Sequence, residues 1–115
     1  MIVGLGVDIV NIPRFQRVIQ ETPSFTKRIF SEREQKNNIN SLAGRFAAKE
    51  AFLKSLKGSL QIKFIDIEIF GEHKAPIFRI DLNRYPDLSN LDFELSISHH
   101  YDYAIAVVLS SRKSN

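Results

Sequence analysis

The 115-residue chain reads as an α+β domain: a small antiparallel or mixed sheet packed against one long helix, with short helices near the N-terminus. Three observations predict this. Residues 2 to 10, "IVGLGVDIV", alternate as a strand. Residues 41 to 58, "SLAGRFAAKEAFLKSLKG", place Leu42, Phe46, Leu53 and Leu56 at the three- and four-residue spacings of a helix face. Near the C-terminus, "FELSISHHYDYAIAVVLS" alternates again and is rich in β-branched residues. A sheet and a helix each have one face to bury, and packing one on the other satisfies both.

In chain order, the opening strand reads as buried, with Val3, Leu5, Val7 and Ile9 on one face. Asp8 shares the other face with Gly4 and Gly6, where a ligand or another backbone can approach closely. An unpaired carboxylate in a core is costly, so this strand is expected to deliver Asp8 to a positive partner, or to a turn that it caps in "DIVNIP". Pro13 is placed to open a short helix, "PRFQRVIQE", which breaks at "TPS". "FTKRIFSEREQKN" reads as a second, more polar helix or a pair of turns. The long helix follows, with Gly58 placed to end it. Glu50 falls inside its apolar sector with Lys54 one turn on, so Glu50 is a functional acid, half of an i,i+4 ion pair, or a helix edge in solvent. "QIKFIDIEIFG" reads as a further strand, and "PIFRIDL" follows it. Asp66 and Glu68 alternate away from Ile65, Ile67 and Ile69. Residues 111–115 read as a polar tail.

The length supports a single domain over residues 1–115 with one modest core. The formal charge of +3 permits an anionic partner without selecting one. With no cysteine, disulfides, thiolate zinc sites and cysteine nucleophiles are excluded. The N-terminal apolar run is too short to span a bilayer and has no basic leader, so a cytoplasmic protein without membrane attachment is expected. His99 and His100 should point to opposite faces of a strand, and His73 has no convincing third-ligand spacing, which argues against a zinc site.

Taken in order, "GVDIV", "LAGRFAAKEAFLKSL", "DIEI" and "SISHHYDYAIAVV" resemble the holo-[acyl-carrier-protein] synthases, the small 4'-phosphopantetheinyl transferases. The resemblance spans almost the whole chain, and "GRFAAKEA" is its most specific block. There are departures. His100 stands where the family commonly has threonine, the glycine-rich turn after the long helix is reduced to "KGSLQIKF", and Ala75 replaces a glycine before the later proline.

The resemblance implies the 4'-phosphopantetheinyl transferase fold and a step in fatty acid and lipid biosynthesis. In that step 4'-phosphopantetheine passes from coenzyme A to a serine of apo-acyl carrier protein, releasing adenosine 3',5'-bisphosphate. It implies Mg²⁺, or Mn²⁺, held by Asp8 and Glu50. Hard cations of this kind join carboxylate and phosphate oxygens. Lys54 is implied as the phosphate-neutralising group; either Lys54 or a metal-activated water takes the serine proton. His99 is implied beside the phosphates. Arg45 and Lys49 flank the apolar side of the long helix, either contacting nucleotide phosphates or simply solvating it. Arg14 matches the carrier-docking position, and Arg17, Lys27 and Arg28 extend a basic surface suited to an acidic carrier. Phe15, Phe25 and Phe46 read as core or interface residues, and Asp66 and Glu68 as candidates for inter-subunit contacts. The family works as a homotrimer with sites between subunits. The rival readings are a basic nucleic-acid-binding module and a structural oligomerisation module without catalysis. The first has too few basic side chains on one helix face, and the second would leave both internal acids incidental.

Overall fold

A computed structural model describes residues 1–71 and 75–114. His73 therefore lies outside the described residues. The elements run β1 (Ile2–Asn11), α1 (Ile12–Glu21), α2 (Pro23–Ile29), α3 (Ile39–Ser55), β2 (Ile67–Phe70), β3 (Ile77–Ile80), β4 (Leu91–His100) and β5 (Tyr103–Arg112). Short 3-10 turns occupy Glu34–Lys36, Phe64–Asp66 and Pro86–Asn90. Two antiparallel sheets result, one ordered β1-β5-β4 and one made of β2 and β3. The mixed-sheet alternative is not seen among the described residues.

The expected helices are present, with shifted ends. Asn11 caps α1 by accepting from the Arg14 amide at 3.0 Å, so the turn "DIVNIP" is capped by Asn11 and Asp8 is released from that duty. Pro23 opens α2, which reduces the expected break to Thr22. Asn38 caps α3, and the helix ends at Ser55 rather than Gly58. Both Lys57 and Gly58 have left-handed backbone, so the chain leaves the helix before the glycine is reached. The run "QIKFIDIEIFG" becomes a strand only from Ile67. Phe64–Asp66 forms a 3-10 turn, and Asp66 accepts from the Tyr85 hydroxyl.

Helix α3 is buried around most of its girth, beyond the single apolar face expected, by Leu42, Ala43, Ala47, Ala48, Ala51 and Phe52. The three-stranded sheet covers one side. On it, the inward residues are Ala104, Ala106 and Val108 of β5, all fully buried, and Leu95 and Ile97 of β4, partly so. Phe52 packs against Phe78 and Phe93 on that flank, while Phe15, Phe25, Phe30, Phe46 and Phe64 form a connected aromatic cluster with α1 and α2.

The opening strand departs from the buried reading. Its inner face is Gly4, Gly6, Asp8 and Val10, while Leu5, Val7 and Ile9 are 64%, 55% and 59% exposed. The sheet carries its helix on one side only, so the more hydrophobic face of β1 looks outward. The two glycines give the helix room. A Cβ on Gly4 would stand 1.9 Å from the Ser55 carbonyl oxygen, and one on Gly6 1.8 Å from that of Ala51. Ser55 follows Ala51 by one helical turn, a rise of about 6 Å, close to the roughly 6.7 Å between Gly4 and Gly6 along a strand. Strand and helix thus stay in register, backbone against backbone. Ser110 of β5 secures the contact by sharing its single hydroxyl proton between the Ser55 carbonyl at 3.0 Å and the Gly4 carbonyl at 3.3 Å.

Gly6→Ala should therefore cost at least about 3 kcal/mol in urea unfolding, because the added methyl meets a backbone carbonyl that cannot rotate away. Gly58→Ala, whose added Cβ has open space and meets only left-handed backbone strain, should cost about 1 kcal/mol. Equal midpoints for Gly6→Ala and the parent would refute the close approach.

Candidate active site

Beyond the glycines, the inner row of β1 reaches Asp8, its first inward polar side chain. Helix α3 runs past it with Glu50 half-buried in the same cleft. This cleft is about 530 Å³ in volume. Asp8, Glu50, Asn11 and Arg14 supply its polar groups, while Phe15, Phe25 and Phe46 form an aromatic wall. The β4–β5 hairpin contributes Tyr103. Lys54, one turn after Glu50, donates to Asp8 Oδ1 at 3.1 Å and to the Val7 carbonyl at 3.0 Å. Its ion pair is thus with Asp8 across the strand, and no Lys54–Glu50 ion pair is formed among the described residues.

Glu50 is the electrostatically unsettled member. Burial pushes its carboxyl pKa up, the neighbouring Asp8 charge pushes in the same direction, and Lys54 opposes both. Two hard carboxylates at the mouth of a cleft, repelling each other, are a donor set suited to Mg²⁺, which takes one or two protein carboxylates and keeps waters. No group of three or more potential metal-ligating side chains occurs among the described residues.

Lys49 and Arg45 are placed elsewhere. Lys49 is fully buried, donating to Glu34 Oε1 at 2.7 Å and to the carbonyls of Ile29 at 2.6 Å and Phe64 at 3.1 Å. With its three donors used, it offers none to a phosphate. Arg45, 4% exposed, donates to the Ile69 carbonyl and lies 3.6 Å from Glu34 Oε2. Burial pulls the Lys49 pKa below the ordinary lysine range, and Glu34 works against that. These two cations tie α3 to the end of α2 and to β2, a role that their helix positions alone did not reveal.

Glu34 is the residue that sequence reasoning missed. It is 1% exposed, and its Oε2 also accepts from the Ile69 amide at 3.2 Å. A signal was present: "SERE" has serine and glutamate three apart, the capping-box spacing. Ser31 and Glu34 do bond reciprocally, amide to side chain, at 3.1 and 3.2 Å.

His99 lies on the inward row of β4 beside Gly44, where a Cβ would come within 3.0 Å of its Nε2. Nε2 sits 2.8 Å from the Asn40 carbonyl, which can only accept, so Nε2 carries hydrogen. Contact with a phosphate oxygen would then fall to Nδ1 and require the protonated ring. His100 points outward and packs edge-on against Tyr101, so the two histidines do diverge as expected. Arg14 lines the cleft, whereas Arg17, Lys27 and Arg28 are exposed on α1 and α2 without lining it. Asp66 and Glu68 both have partners within the chain, Tyr85 and Arg84 for Asp66 and Ser31 for Glu68.

With this geometry in view, comparison with known proteins is consistent across sequence and fold. The sequence model of the 4'-phosphopantetheinyl transferase superfamily matches residues 4–108. A holo-[acyl-carrier-protein] synthase of Leifsonia xyli is 37% identical over 118 residues, covering 99% of this chain and all of the relative. The crystal structure of the Neisseria meningitidis holo-[acyl-carrier-protein] synthase superposes with a TM-score of 0.84 at 30% identity, covering 97% of this chain and 100% of that one. The Helicobacter pylori synthase, solved in complex with coenzyme A, gives 0.80 at 34% identity, covering 93% and 99%.

Two measurements check the electrostatics of the site. Because the folded state raises the pKa of Glu50, its charged form destabilises the metal-free protein above the ordinary glutamate value of about 4.3. Glu50→Gln should then raise the melting temperature at neutral pH without divalent metal, with the advantage fading as pH falls below that value. A variant that melts below the parent at neutral pH would contradict this. In the buried cluster, Lys49→Met or Glu34→Gln alone should cost about 3–5 kcal/mol by stranding a charge, and the double variant clearly less than the sum. Additive losses in urea unfolding would show that the pair is not coupled.

Proposed function

Because the chain belongs to the 4'-phosphopantetheinyl transferase superfamily, as a holo-[acyl-carrier-protein] synthase relative, we propose that the Asp8–Glu50–Lys54 cleft is where it acts. The reaction moves 4'-phosphopantetheine from coenzyme A to a serine hydroxyl of apo-acyl carrier protein. The serine oxygen gives up its proton to a water in the cleft and forms the new bond to phosphorus while the pyrophosphate P–O bond breaks, and adenosine 3',5'-bisphosphate leaves. The observation that carries the site assignment is the convergence of Asp8 and Glu50, from a strand and a helix, with Lys54 bridging to Asp8.

Asp8 and Glu50 would hold Mg²⁺, with Mn²⁺ as an alternative; bound there, the ion neutralises pyrophosphate charge and stabilises the leaving oxygen. Two hydrogen bonds hold the Lys54 ammonium beside Asp8, which leaves a third N–H for a phosphate oxygen. Phe15, Phe25 and Phe46 keep one wall of the cleft dry, which strengthens the charge interactions inside it. Arg14 joins the cleft to the outer surface of α1, and with Arg17 and Arg28 it would receive the acidic carrier. His99, which does not line the cleft, would contact a phosphate through Nδ1 of the protonated ring.

The outer face of the three-stranded sheet, where Leu5, Val7, Ile9 and Val107 stand exposed together, supports association with further copies of the chain, and the homotrimer with sites between subunits implied by the resemblance would cover it. No helix among the described residues is long and apolar enough to cross a membrane. A cytoplasmic setting would bring the chain to both substrates.

Incubation with apo-acyl carrier protein, coenzyme A and Mg²⁺ should raise the carrier's intact mass by one phosphopantetheine. Asp8→Ala should remain folded by circular dichroism and lose activity by about a hundredfold or more. No mass gain with the parent, under conditions where another transferase modifies the same carrier, would sink the functional reading. Parental turnover and Mg²⁺ dependence in Asp8→Ala would remove Asp8 from the site.

A further inference from the structure

Away from the cleft, Arg33 in the turn after α2 and Arg79 on β3 stack on the same ring. Their guanidinium carbons lie 4.8 and 5.6 Å from the centroid of Phe70, at the end of β2. Both arginines are exposed, and neither forms an ion pair among the described residues. The acid facing Arg79 across the ladder is hydrogen-bonded elsewhere. Glu68 stands directly across the ladder from Arg79, yet its carboxylate accepts from Ser31 Oγ at 2.7 Å. Stacking on an aromatic ring restrains a guanidinium while leaving its N–H fork open at the edge. Two such forks on one ring, neither of them in an ion pair among the described residues, offer N–H groups that suit incoming carboxylates.

The fold also holds this stack next to the basic helices. Arg33 follows Arg28 by five residues, and the segment between is anchored by Lys49 to the Ile29 carbonyl and by Ser31 to Glu68 of β2. The α2 terminus and the β2–β3 ladder therefore meet as one surface. Neither arginine lines the acid cleft, which places the stack outside the reacting centre.

We propose that the Arg33–Phe70–Arg79 stack is a second carboxylate clamp for the acidic carrier, extending its contact from α1 and α2 onto the β2–β3 ladder; this rests on the functional reading above. The clamp gives capture and orientation, with no part in the chemical step.

The test is steady-state transfer by Arg33→Gln/Arg79→Gln and by Phe70→Leu, with apo-carrier and coenzyme A varied in turn at low and high salt. The double variant should raise the carrier KM by roughly five- to twentyfold at low salt, the sum expected of two exposed charge pairs. It should converge on the parent at high salt and leave kcat and the coenzyme A KM unchanged. Phe70→Leu keeps an apolar side chain but frees both guanidiniums, so it should give a smaller rise in the same constant. An unchanged carrier KM in the double variant would overturn the proposal. So would a rise confined to the coenzyme A KM, which would make the stack a nucleotide phosphate site. Parental transfer is the internal control: its absence defeats the functional reading itself, whereas normal parental transfer with unaffected variants defeats only the clamp.

Discussion

The contact on which the rest of the structure depends is the side-chain-free approach of β1 to α3. At Gly4 and Gly6 the strand lies so close to the carbonyls of Ser55 and Ala51 that no Cβ fits between them. That approach fixes the height and rotation of the strand against the helix. Asp8, two residues further along the same row, then meets the side of α3 that carries Glu50 and Lys54. A looser packing through larger side chains would separate the two carboxylates, and a hard cation could no longer be shared between them.

The molecule keeps two charge clusters in opposite conditions. Around Glu34 every group is satisfied: Lys49 uses its three donors, and both Glu34 oxygens accept. This cluster is rigid and internal, and its work is to hold α2, α3 and β2 together. Around Asp8 the balance is incomplete, since two acids face one half-exposed lysine and Glu50 is pushed toward its neutral form. The satisfied cluster gives the framework against which the unbalanced one stays in place. Lys49 and Glu50 are adjacent in sequence, about 100° apart around the helix, so a single turn of α3 serves both.

The surface follows a similar division. The three-stranded sheet spends its inner face on α3 and leaves an apolar outer face that suits another copy of the chain. Cationic side chains collect on α1, α2 and the β2–β3 ladder, where an acidic protein can approach without covering that face.

By itself the sequence determined the α+β class, the long helix, and the two acids standing at otherwise apolar positions, because periodicity and the cost of a buried charge are local properties. The ordered motifs determined the family. Only the tertiary structure decided which partner each charged residue took. Asp8 took Lys54 rather than a turn, and Lys49 took Glu34 rather than a phosphate, although Lys49 and Lys54 lie five residues apart on the same helix. Helical spacing gives the direction of a side chain, but its partner depends on what distant segments bring to that side. Here those segments are β1 on one flank of α3, and the α2 end with β2 on the other. The outward turn of Leu5, Val7 and Ile9 was hidden for the same reason: alternation separates the two faces of a strand, and only the position of the helix decides which one is covered.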